Sequence, residues 1–162
     1  MNAFTAPLRE LAEFEEGQSL LKKGSACIGY TGCGDSQKLH MIHGFSDGFP
    51  YKVIVTFSDL RAREIYEEYQ FYDKDTVLYP GKDLIFYQAD IHGNQLVPER
   101  MKALRKMIEG RPLTVVTTFA ALMTPQVPLE EIADAVIHID MDSIVDEREL
   151  AARLAVMGYE KN

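Results

Sequence analysis

Residues 26–38 read ACIGYTGCGDSQK, and here residue types and spacing come closest to a chemical site. An apolar run leads into Gly29, Thr31, Gly32 and Gly34, followed by Asp35, Ser36 and a helical pattern. This is the layout of a phosphate-binding loop, G-x-x-x-x-G-K-[ST], with aspartate in the lysine position. In a working loop the backbone N–H groups wrap the phosphates, the lysine offsets their charge and the hydroxyl reaches magnesium. Asp35 inverts that electrostatics. Two unit charges about 4 Å apart interact by roughly 4 kcal/mol at an effective dielectric near 20, and exchanging attraction for repulsion approaches twice that. Each 1.4 kcal/mol is about tenfold in Kd, so the expected penalty before screening is several powers of ten. Lys38 starts one helical turn too late to replace the missing cation. The expectation is a loop that keeps its turn shape without its ligand: no catalytic residue, no bound cofactor and no metal at Gly29, Thr31, Gly32, Gly34, Asp35 or Ser36. The competing reading is a small NTPase with an atypical phosphate loop.

Other constellations are weaker. The run 136–140 ends in Asp140, with Asp142 two residues on, loosely like the acid at the end of a nucleotide-site strand, but His138 interrupts it. Solvated acids at a strand end are the expectation there. His40 and His43 are three apart, a spacing that can place two metal ligands on one helix face, yet no third ligand accompanies them. Asp83, Asp90 and His92 share a segment with Phe86 and Tyr87, and proton transfer is their chemical alternative to an architectural role. Tyr66, Tyr69 and Tyr72 lie beside Glu64, Glu67 and Glu68, which repel phosphates, so core packing is expected over base stacking. Cys33, near a helix N-terminus, is read as chance placement.

The elements that position these residues alternate. Runs at 26–31, 52–57, 76–80, 113–119 and 135–140 are rich in Val, Ile, Thr, Phe and Tyr and read as strands. Their continuous apolarity predicts a parallel sheet covered on both faces. Ser58 or Asp59 caps a helix with Ala62, Ile65, Tyr66, Tyr69 and Tyr72 on one side. Pro98 opens a second, with Met101, Leu104 and Ile108 as its stripe and Gly110 and Pro112 beyond its end. Asp146 and Glu149 form a capping-box variant for a third, with Leu150, Leu154 and Met157 inward and Gly158 as its stop. The pattern predicts a three-layer α/β domain. Residues 123–129, MTPQVPL, mark a boundary, and the stretch beyond it is too short to bury a core of its own.

The chain has 162 residues, 46% hydrophobic and 26% charged, which excludes intrinsic disorder. No apolar run approaches the roughly 18 residues of a membrane span. The net charge of −8 disfavours a duplex-binding groove, so no direct nucleic-acid contact is expected. Two cysteines, Cys27 and Cys33, make neither a disulfide framework nor a zinc site. The first seventeen residues carry acids and do not read as a signal peptide, which favours a reducing, cytoplasmic setting.

GYTGCGDS, then VIVTFSDLRAREIYEEYQFY (53–72), the stretch 77–110 with a strand ending at a proline and a helix near Arg100, LTVVTTFAALMTPQVP (113–128), and ELAARLAVMGYEKN succeed one another in an order that resembles the N-terminal segment of bacterial transcription-repair coupling factors. That segment is similar to the first domain of the excision-repair protein UvrB, whose working loop has the form GVTGTGKT. The resemblance implies a UvrB-like domain with a degenerate phosphate loop over residues 1–126 and the beginning of a second, UvrA-binding-type domain over 127–162. It implies a non-catalytic interaction and scaffold module of an ATP-dependent DNA translocase that removes stalled RNA polymerase and recruits UvrA. ATP and magnesium then belong to motor domains elsewhere in the parent, which are also intramolecular partners. UvrB carries a long aromatic hairpin after its third-strand region. Residues 90–99 leave no room for one, which directs the resemblance to the coupling factors.

Overall fold

Leu113–Thr118 is LTVVTT, six residues that suit a pleated, buried surface, and every one of them is buried. This strand, β3, is the middle of a parallel sheet in the order β1-β3-β2, with β1 at Tyr51–Thr56 and β2 at Thr76–Tyr79. The structure, a computed structural model, describes residues 4–24, 27–81 and 93–157. Register runs from Tyr51 opposite Leu113 to Thr56 opposite Thr118, and from Thr76 opposite Thr114 to Tyr79 opposite Thr117.

Helices flank the sheet: α1 (Ala12–Lys22), α2 (Asp35–Phe45), α3 (Asp59–Tyr69), α4 (Gly93–Ile108) and the short α5 (Phe119–Met123). The chain crosses from β1 to β2 through α3 and returns from β2 to β3 through α4. Right-handed connections in opposite directions put the two helices on opposite faces. Strand alternation agrees. Ile54, Leu78 and Val116 form one core with Ala62, Ile65 and Tyr69 of α3 and Leu39 of α2. On the other face the Arg100 guanidinium of α4 lies 4.1 Å from the Tyr79 ring centroid and donates to the Tyr79 hydroxyl and the Pro80 carbonyl. Here the α/β expectation holds, with helices on both faces of a small parallel sheet.

Local signals explain several ends. Ser58 accepts the Arg61 N–H at 3.2 Å and caps α3, and Gly110, at φ +66°, takes the left-handed turn after α4. A 3-10 turn at Pro7–Glu10 brings Leu8 against Phe14 of α1 and Met41 of α2, a second small core. Gly44 is what permits that approach. A Cβ there would overlap Leu8 and Phe14, and the Gly44 carbonyl accepts from Gln18 of α1 at 3.0 Å.

Four expectations need correction. Residues 27–31, the described part of the first expected strand, pair with no strand, and residues 136–140 are likewise unpaired. Gly29 gives the first run no side chain to pack at its centre. Residues 129–135, LEEIADA, favour helix and draw Ala135 into it. Pro98 lies inside α4, which begins at Gly93. The first turn's N–H groups have no intrahelical partner anyway, so a proline just beyond it forfeits a single bond. Tyr72 falls in the turn after α3, which ends at Tyr69.

The chain divides into two compact units, Met1–Pro125 and Gln126–Asn162. The second holds α6 (Leu129–Ala135) and α7 (Glu147–Val156), and neither buries a side chain. Asp146 caps α7 by accepting the N–H groups of Arg148 and Glu149 at 2.8 and 3.1 Å. Leu150 and Leu154 are half-buried and Met157 is exposed, so the inward stripe expected of this helix is partial.

Candidate functional site

The glycine loop ends where it was expected to end. Gly32 has φ +82°, the left-handed conformation that glycine adopts at little cost, and Gly34 precedes the first residue of α2. Asp35 and Ser36 therefore open a helix, the place where a phosphate loop holds its lysine and its hydroxyl. The strand that would brace the loop from behind is missing, since residues 27–31 are irregular.

Asp35 is engaged. Lys38 donates to its Oδ1 at 3.0 Å and Arg61, at the start of α3, stands 3.5 Å from the same oxygen. Arg61 in turn holds Glu64 at 2.8 Å. The Lys38 hydrogen bond and charge, with the Arg61 charge behind them, hold the Asp35 carboxyl below the usual range. The carboxylate is thus ionised throughout the neutral range, and the two nearby cations are each paired with an acid. Lys38 turns to Asp35 and neutralises it.

The carboxyl ends of the strands, where α/β sheets commonly bind ligands, carry apolar side chains. Thr56 and Thr118 are paired, and the next residues, Phe57 and Phe119, are 85% and 67% exposed. Leu60, Leu122 and Met123 near the same strand ends are exposed too. Asp59 turns inward there and accepts the Gly81 N–H at 3.3 Å.

The remaining candidates separate. His43 is buried against the rings of Tyr69 and Tyr72, whereas His40 lies against the Phe4 carbonyl, so the two do not form an outward ligand pair. Among the described residues no group of three His, Cys, Asp or Glu side chains is placed to hold a metal. Tyr69 is fully buried and shares a 3.3 Å hydrogen bond with Ser46, as a core residue does. Asp140 closes its own turn by accepting from Ser143 Oγ at 2.7 Å and the Asp142 N–H at 3.1 Å, and it ends no strand. Asp83, Phe86, Tyr87, Asp90 and His92 lie outside the described residues.

Two features escaped sequence reasoning. One is Arg61 as a partner of Asp35, across a loop, a strand and a helix start. The other is a groove of about 690 Å³ beside β1, whose lining comes from α1, residues 28–33, α2, Phe49 and Val53. The Asp35–Lys38 spacing of three was the one local signal for either.

Comparison of the chain with protein families, with curated proteins and with solved structures returned no match. Among the described residues no helix is long and apolar enough to cross a membrane.

Proposed function

We propose that this chain is a non-catalytic interaction and scaffold module of the kind that opens a transcription-repair coupling factor, built on a UvrB-like domain whose phosphate loop has lost its ligand. The observation that carries this reading is the state of Asp35: a carboxylate at the phosphate-lysine position, ion-paired to Lys38 and Arg61. A triphosphate arriving there meets a negative charge where it needs a positive one. The exposed Phe57, Leu60, Phe119, Leu122 and Met123 add a second support, since clustered apolar side chains mark protein-contact surfaces. In this reading the partners are UvrA and RNA polymerase, met through the longer protein, with that protein's own motor domains. ATP and magnesium act in the motors, the setting is the cytoplasm, and neither nucleic acid nor membrane binds this chain directly.

A titration of the whole chain with a fluorescent ATP analogue and magnesium tests the non-catalytic half. The expected result is no saturable binding at tens of micromolar and no phosphate release. Saturable binding would overturn the loss of the ligand, and turnover that is lost in Asp35→Lys would favour an NTPase instead.

A further inference from the structure

We propose that the groove beside β1 binds an aliphatic carboxylic acid of medium chain length, its hydrocarbon on the groove floor and its carboxylate on Lys38 Nζ. The volume, about 690 Å³, falls within the roughly 300–1,000 Å³ of small-molecule sites. Leu21, Ile28, Met41, Ile42, Phe45 and Val53 give it an apolar interior drawn from four separate stretches of chain. Among its described lining residues Lys38 alone is charged. Ser46, another polar lining residue, already spends its hydroxyl on the His43 carbonyl and the Tyr69 hydroxyl. The groove therefore asks for a ligand with an apolar body and one anionic end.

Lys38 can exchange its partner to serve that end. Its present partner is Asp35, and the two side chains are 56% and 65% exposed, so water screens the pair and its loss costs little. When a ligand carboxylate replaces Asp35 at Nζ, Asp35 keeps Arg61 at 3.5 Å and no charge is stranded. A ligand with several phosphates has neither the cations nor the polar lining it needs here. An alcohol of the same chain length fits the interior but gives Lys38 no anion to meet. That contrast isolates the charge.

Isothermal titration of the whole chain with decanoate and with 1-decanol tests the assignment. Decanoate is expected to bind saturably at one site. Lys38→Met, at an exposed helix position, is expected to weaken decanoate about tenfold, the scale of one charge-assisted contact, and to leave decanol unchanged. Cys33 lines the groove and is half-buried, whereas Cys27 is exposed. Decanoate should slow thiol labelling of Cys33 in a Cys27→Ser chain and leave Cys27 labelling unchanged in a Cys33→Ser chain. Absence of binding, equal loss of acid and alcohol in Lys38→Met, or unprotected Cys33 would each overturn the proposal. So would a concentration-dependent dimer that shields Cys33 without decanoate, because the occupant would then be a second copy.

Discussion

Asp73 shows how one side chain organises the amino ends of the sheet. Burial pushes its carboxyl up, but the Thr114 hydroxyl at 2.7 Å, the Asp75 N–H at 3.0 Å and Lys52 at 3.2 Å outweigh that and hold it below the usual range. A depressed carboxylate stabilises the fold above its unfolded pKa, near 4, and that stabilisation is lost as pH falls through the folded value. Asp73→Asn keeps the shape but drops the charge and is expected to cost about 1–3 kcal/mol by urea unfolding at pH 7. An unchanged midpoint would show that Thr114 and Lys52 find other partners. His43 works in a higher pH range. Burial first, then the Lys52 charge, holds its imidazole below the usual histidine value, against Asp47 and Asp73, with His40 adding to the depression. It is therefore neutral when folded and takes a proton more readily when unfolded. Its share of the stability is complete above about pH 6.5 and falls as the solution is acidified below that. Wild-type urea midpoints should drop between pH 7.5 and 5.5 by more than those of His43→Gln. Parallel drops in the two chains would refute the assignment.

Elements here are held by ends and close approaches as much as by faces. Ser58→Ala removes the α3 cap and should cost about 1 kcal/mol, read as a lower denaturation midpoint. Gly44→Ala forces Leu8 and Phe14 apart and strains the contact between α1 and α2, for about 1–3 kcal/mol. Amide exchange should then rise in α1 while β3 stays protected, because β3 draws on the separate core of Ile54, Leu78 and Val116. Uniform loss of protection across both would mean that the two cores unfold together. The glycine loop belongs to this scale as well. Gly32 and Gly34 supply the turn and the helix start, but a loop without a pairing strand behind it is a turn without a frame.

The two units differ in what they bury. Met1–Pro125 contains the sheet and the buried side chains of β1, β2 and β3, whereas α6 and α7 of Gln126–Asn162 bury none. A chain ended at Pro125 is therefore expected to unfold in one cooperative thermal transition close to that of the full chain. Loss of cooperativity would show that the second unit supports the first. The fragment also retains both the glycine loop and the groove beside β1, so both can be tested in it.

Features governed by neighbours in sequence were legible without coordinates. The glycine turn before α2, the Ser58 and Asp146 caps, the Gly110 stop and the three runs that became β1, β2 and β3 all rest on local conformational preference. The runs at 26–31 and 135–140 carried a similar composition and did not become paired strands in their described parts, because a strand exists only where another backbone meets its hydrogen bonds. The aspartate after the glycine turn was also visible in the sequence, as a single residue type at a single position. Only the tertiary structure decided which distant cation Asp35 meets: Arg61 reaches it from 26 residues away in sequence. It also decided that an apolar groove would open beside β1, since no local rule reports the space left between four stretches of chain that meet only when the core closes.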